Sequence, residues 1–394
     1  MPRAYEETHP WITFKFRLDR ELDAECWLLL GEAISKIDHI AGVPLQPDLA
    51  DELGRIYLSK GAHATTQIEG NTLTEEQVRR RVDHDLDLPA SQEYLGQEID
   101  NVVAGYNLIV NDVVSQKIEP LTADRIRRFN ELVLQGLEPA DDHAVPPGHF
   151  RYTSVVVGSY RGAPAEDCTY LIDRLCGWLA ELRSEAKGGD YERPVAILSA
   201  ILAHLYIAWI HPFEDGNGRT SRLVEYQLLS EAGAPVVAGH VLADHYNRTR
   251  SAYYRELNRT SREPYSLTGL IKYALRGFVD GLRQQIIEVQ RQQLGTAWHN
   301  FVYEVLNKDT PAVSRQRKLL LALPPEGVPK ANVRTLNGEL GQLYANKDEK
   351  TVSRDINALE KEGLLMKQKR GVITTVRPRH EIMFAFMSPT ARTS

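Results

Sequence analysis

Twelve residues hold the densest chemistry in the chain: His211-Pro-Phe-Glu-Asp-Gly-Asn-Gly-Arg-Thr-Ser-Arg222. His211 is a base whose ordinary pKa lies near neutrality. Asp215 offers a carboxylate oxygen of the kind a divalent cation takes as ligand. Gly216 and Gly218 flank Asn217 and let backbone N–H groups come close to a ligand. Arg219 and Arg222 stand one helical turn apart, so both guanidinium groups can face one phosphate chain. The loop also feeds a helix start, which favours an anion. A base, a metal carboxylate, an anion nest and two cations in one loop describe a nucleotide phosphate site with a base aimed into it.

Two helices must present this loop. The apolar run from Val195 to Ile210 reads as a buried helix, and Pro212 pushes His211 out of helical geometry, so the helix should stop there. Leu223, Val224, Gln227 and Leu228 then keep helical spacing until Gly233, a C-terminal stop.

The loop resembles, without a departure, the signature of the Fic (filamentation induced by cAMP) family, His-Pro-Phe-x-Asp/Glu-Gly-Asn-Gly-Arg-x-x-Arg. Members of that family mostly transfer AMP from ATP to a protein hydroxyl. The resemblance implies that His211 deprotonates the target hydroxyl and that Asp215 binds Mg²⁺. It assigns the α-phosphate to Asn217 and the Gly216–Gly218 backbone, and the β- and γ-phosphates to Arg219 and Arg222. Thr220 and Ser221 lie between those arginines and fall within the implied nucleotide site. Phe213 would anchor the loop in the core.

Upstream, Thr65-Thr-Gln-Ile-Glu69-Gly70 closes a helix expected over about 49–70. By itself this is a polar face with a glycine stop. Beside the loop it looks like the family's inhibitory motif, Ser/Thr-x-x-x-Glu-Gly/Asn. A Glu69 carboxylate in a bidentate pair with Arg222 would occupy the guanidinium that the γ-phosphate needs. Thr65, Glu69 and Gly70 are therefore the expected inhibitory residues.

Residues 146–166 break the helical rhythm, and β-branched residues around Gly158 predict a short hairpin. It could be a plain surface hairpin. It is similar to the Fic flap, which would dock an extended target segment by strand addition, with Val157, Gly158, Ser159 and Tyr160 bordering the nucleotide. Tyr253 and Tyr254 resemble the family segment lining adenine and ribose, while aromatics at helical positions also serve as core. His240 and His245 are five apart, off a common helical face, and are assigned no metal.

At the C-terminal end, helices over 335–345 and 351–363 precede two short basic strands about Arg370-Gly371, an order that resembles a winged helix-turn-helix domain. Thr351, Ser353 and Arg354 would then sit at the exposed start of the recognition helix. Residues 309–379 carry 14 Lys+Arg against 8 Asp+Glu, a net of +6, within a chain of net −6. DNA contact and a protein-interaction role both fit that module.

The expected fold is mainly α: a Fic-type helical domain with a short β-hairpin flap, plus the winged helix. Residues 1–110 form an N-terminal helical region, 111–290 the catalytic domain, 291–310 a linker helix, 311–380 the winged helix and 381–394 a tail. Hydrophobic residues at 42% and charged residues at 25% describe an ordinary soluble protein. No stretch is laid out as a signal peptide, no membrane span is expected, and Cys26, Cys168 and Cys176 have neither metal nor disulfide-framework spacing. A cytoplasmic setting follows as the expectation.

The expected function is protein adenylyltransfer to Ser, Thr or Tyr of a target docked on the flap, the enzyme's own hydroxyls included, with Mg²⁺ as cofactor and ATP as substrate. The alternatives are transfer of UMP, phosphocholine or a terminal phosphate, removal of AMP, or an ATP-sensing DNA-binding regulator. The oligomeric state, a homodimer among the options, is open.

Overall fold

The computed structural model describes residues 3–44, 47–138, 145–158 and 160–383. The chain divides into two compact units, residues 1–286 and 287–394.

The first unit is built on the Glu192–Ile210 helix. By length and composition that helix could cross a membrane, but 89% of its apolar window is buried inside the protein. It is the core. Apolar residues all round such a helix require neighbours all round it. The Asn217–Glu231, Cys168–Ala186 and Ala24–Ala41 helices pack on it. Glu93–Val114 and Ala123–Val133 in turn pack against Asn217–Glu231. The Pro47–Ile68 helix lies against Val241–Arg248, Glu93–Val114 and Asn217–Glu231. It thereby reaches the functional loop.

Local signals match these elements. Thr74 and Gln77 form a full capping box ahead of the Glu75–Val82 helix. The Thr122 side chain caps Ala123–Val133. The alternating Trp11–Phe16 stretch buries Ile12, Phe14 and Phe16 without pairing as a strand. Strand β1 (Val156–Val157) pairs antiparallel with β2 (Tyr160–Arg161) across a turn in which Gly158 takes φ 60°. Ser159 lies outside the described residues, as does the side chain of Val157.

Residues Thr268–Val305 are helical. The second unit holds the Pro311–Ala322, Gly338–Tyr344 and Glu349–Lys361 helices. Its sheet runs β3 (Val328–Pro329), β5 (Ile373–Pro378), β4 (Leu365–Arg370), both pairings antiparallel. Leu319, Val352, Ile356, Leu359 and Val376 form its own core. The first helix and β3 were not foreseen. Pro311 reads as a boundary, yet proline is at home in a helix's first turn, and here Thr310 caps the helix it opens. Most of the predicted tail, 384–394, lies outside the described residues.

Candidate active site

His211 ends its helix with φ 50° and ψ 59°, a left-handed backbone that is unusual for a residue with a Cβ. Such a conformation costs of order 1–3 kcal/mol and persists only where the surroundings impose it. Here Pro212 forbids continuation of the helix. His211 N–H still closes the last turn on Ile207 O at 2.8 Å, and Arg151 Nε donates to His211 O at 2.7 Å. Burial, then the Arg151 charge, pull the imidazole down to about 4, against the raising pull of the Ala208 carbonyl, Glu69 and Asp215. The ring is therefore neutral at pH 7 and able to accept a proton.

Five residues on, Gly216 takes φ 75° and the Asn217–Glu231 helix begins. Only glycine fits easily here: a Cβ on Gly216 would lie 2.8 Å from Asn130 Nδ2. Asn130 Nδ2 donates to Asp215 O at 2.9 Å and pins the turn. Asn217, with the Gly216–Gly218 backbone, was expected to hold an α-phosphate. Both ends of the Asn217 side-chain amide are instead used on Phe213: Oδ1 accepts from Phe213 N at 2.9 Å and Nδ2 donates to Phe213 O at 2.8 Å. A side-chain amide that spans one residue's N–H and C=O locks the loop rather than reaching for ligand. Phe213 is buried against Phe150, as the sequence implied.

The two arginines part ways. Arg222 is buried, with Nη2 on Glu69 Oε1 at 2.5 Å and on Thr65 O at 2.9 Å, and Nε on Thr65 Oγ1. The expected bidentate pair is thus a single-oxygen contact, because Thr65 takes the remaining edge of the guanidinium fork. Glu69 keeps a third of its side chain open toward the cavity. Burial alone would raise its carboxyl, but Arg222, Arg219 and His211 outweigh that and hold it below its ordinary value. Gly70 turns away at φ 106°. Arg219, by contrast, is turned to Glu98 at 3.0 Å and Asp215 at 3.3 Å, so it does not share Arg222's position as the helical spacing suggested. An acidic residue from the Glu93–Val114 helix captures it.

A cavity of about 480 Å³ gathers Glu69, Gly158, Tyr160, His211, Asn217, Gly218, Ser221, Arg222, Tyr253 and Tyr254. Asp215, Gly216, Arg219 and Thr220 do not line it. Sequence reading missed Ile68, Ala208, Trp209, Leu257 and Asn258, whose apolar or neutral side chains carry no motif. It also missed Arg151. Tyr253 is both core and cavity wall: it lines the cavity, stacks on Tyr246 at 4.8 Å and hydrogen-bonds His204 Nε2 at 2.8 Å. Tyr254 is half-exposed at the mouth. His240 is buried between Tyr106 and Tyr226, and His245 packs on Tyr273.

Residues 120–229 match the Fic/DOC family model. The chain carries a Fic domain. The Fic-domain chain is 29% identical over 243 residues to protein adenylyltransferase Fic of Nematostella vectensis, covering 61% of this chain and 52% of that one. It is 35% identical over 175 residues to the Drosophila grimshawi protein of the same name, covering 43% and 32%. The chain thus spans about half or less of these relatives' lengths. In fold it is similar to a Fic family protein from Desulfovibrio desulfuricans G20, with TM-score 0.57 at 18% identity, covering 92% of this chain and 98% of that one. It is also similar to Caenorhabditis elegans Fic-1 (aa134–508), with TM-score 0.52 at 22% identity over 68% and 73%.

For a cation, the Fic loop offers Asp215, its other carboxylate, Glu214, already accepting from Val145 N–H at 2.7 Å. Asp215 is 73% exposed and only weakly engaged by Arg219. No cluster of three His, Cys, Asp or Glu stands ready for a metal among the described residues. That donor set fits Mg²⁺, which commonly binds through one or two carboxylates together with substrate phosphates.

Proposed function

We propose that this Fic domain transfers AMP from ATP to a hydroxyl side chain of a protein and rests in an inhibited state. The observation that carries the reading is the convergence of neutral His211, Arg222 and the two tyrosines on one cavity large enough for a nucleotide. The names of the relatives support the same chemistry.

The target hydroxyl would give its proton to the His211 imidazole as its oxygen bonds the α-phosphorus. The bond from that phosphorus to the bridging oxygen breaks, and pyrophosphate leaves. Gly218 and the start of the Asn217–Glu231 helix offer an anion site, and Arg222 a phosphate cation. Mg²⁺ held by Asp215 would neutralise phosphate charge. The free edge of β1–β2 would register an extended target segment. Glu69 inhibits by holding Arg222 and standing over Gly218. Transfer of label from α-³²P-ATP tests the whole reading. Label should rise in Glu69→Gly over the wild-type chain and vanish in His211→Ala. Absence of label in all three proteins, with ATP still bound, refutes AMP transfer and favours another transferred group or an ATP sensor.

We also propose that the 287–394 unit is a winged helix that contacts nucleic acid. Lys350, Arg354 and Lys361 project from the Glu349–Lys361 helix, exposed and without a salt bridge among the described residues. Thr351 is not free for a groove contact as expected, since its Oγ1 and N–H both bind the Asp348 cap. A gel shift with random-sequence DNA at low salt tests this, and no shift refutes it.

A further inference from the structure

Arg151 is among the largest fully buried side chains of the protein, only 2% exposed, and no carboxylate pairs with it among the described residues. Its donors go to backbone carbonyls instead. Nε donates to His211 O at 2.7 Å, Nη1 to Thr153 O at 2.5 Å, and Nη2 to Ile210 O at 3.3 Å and to Ala163 O. Its own N–H donates to Pro212 O at 3.0 Å, and Ala163 N–H to Ile210 O at 3.2 Å. Thr153 and Ala163 are the two feet of the β1–β2 hairpin, while Ile210 and His211 close the central helix. A buried cation without a counter-ion is costly and persists where fixed dipoles replace water. A guanidinium fork can serve four carbonyls at once; an ammonium cannot reproduce that geometry.

We propose that Arg151 is the positioning residue for His211: by clamping Thr153, Ala163, Ile210 and His211 it imposes the left-handed backbone at the base and fixes the imidazole relative to the hairpin. The catalytic side of this rests on the function proposed above. The geometry does not. Gly162 closes the clamp from the other side, since a Cβ there would lie 3.0 Å from both Arg151 Nη2 and His211 Cβ. The charged groups that reach His211 are Arg151, Glu69 and Asp215, with the Ala208 carbonyl on its own helix.

The test uses the full chain with Glu69→Gly as parent, and compares Arg151→Lys, Arg151→Met and Gly162→Ala. ATP affinity should stay within about twofold of the parent, while kcat falls roughly 10²-fold in both Arg151 variants, the loss that a misplaced catalytic group brings. The acid limb of kcat/KM should move to higher pH in Arg151→Met and stay in Arg151→Lys, which keeps the charge. Independently of turnover, the His211 ring titration followed by NMR should move up in Arg151→Met relative to the parent, since the Arg151 charge lowers it. An unchanged kcat at unchanged ATP affinity in either Arg151 variant, or an unmoved His211 titration in Arg151→Met, overturns the proposal. Should Arg151→Met not fold, Gly162→Ala decides: a kcat loss at constant ATP affinity supports the clamp and no loss refutes it. Should the parent itself transfer no AMP, the function reading fails and backbone amide NMR shifts decide the clamp: perturbation at Ala163 and His211 in both Arg151 variants supports it and none refutes it.

Discussion

Glu69 and Arg222, 153 residues apart in the chain, meet at 2.5 Å with the Glu69 carboxylate directly above Gly218. A Cβ on Gly218 would lie 2.0 Å from Glu69 Oε1 and 2.9 Å from its carboxyl carbon. The Glu69 carboxylate therefore fills the volume over the Gly218 backbone as well as holding the Arg222 charge.

Gly218→Ala should eject the Glu69 side chain and leave Arg222 held by Thr65 alone. An uncompensated buried charge costs about 3–5 kcal/mol, and Thr65 should soften that to about 1–3 kcal/mol. Adding Glu69→Gly should recover little of the charge pairing but remove the clash. Urea unfolding of the single and double variants measures the coupling, and strictly additive losses would separate the two residues.

In the Glu69→Gly background, Arg222→Gln should raise the KM for ATP by about 10- to 150-fold. A hydrogen bond to a charged group is worth about 1.5–3 kcal/mol, which converts to that range. Steady-state kinetics at saturating target decides it. An unchanged KM would place the phosphates elsewhere.

Stability should fall in mild acid, above the range where carboxylates titrate. Burial holds His211 at about 4, His240 at about 3 and His245 at about 4, against 6.5 unfolded. A depressed histidine binds fewer protons folded than unfolded. Its stabilising share is full above pH 6.5 and is lost as pH drops toward 4. Each contributes a slope of up to about 1.4 kcal/mol per pH unit in that window. Unfolding at pH 7 and pH 5 should show the drop, and His240→Leu should lessen it.

In the second unit, Asp355 is buried and accepts from Arg315 at 2.6 and 2.9 Å and from Tyr344 Oη at 3.0 Å. Asp355→Ala leaves a half-buried guanidinium and a buried phenol without their acceptor. The 287–394 unit should lose about 3 kcal/mol. Thermal unfolding should show this while labelling by the Fic domain stays at the parent rate.

The loop from His211 to Arg222 was legible because its chemistry is local. Residue types at fixed spacing set its turn, helix start and donors, and period set the central helix around it. The match between Glu69 and Arg222 was legible in kind, since charge and motif pointed to it, but not in geometry. That Thr65 would take one edge of the guanidinium, and that Glu98 would turn Arg219 away, depends on which side chains neighbouring helices bring within reach. Asn217 is the same lesson at shorter range, because a side-chain amide four residues from Phe213 can bind either ligand or loop, and packing chose the loop. Arg151 had no signature at all. Its role arises from four carbonyls on three separate segments, and no spacing along the chain encodes that they converge. The sequence by itself determined which groups can react and which stretches must bury themselves. Tertiary structure decided which charges are shared, which are spent on backbone, and which remain facing the cavity, because those are properties of distance in space and of exclusion from water.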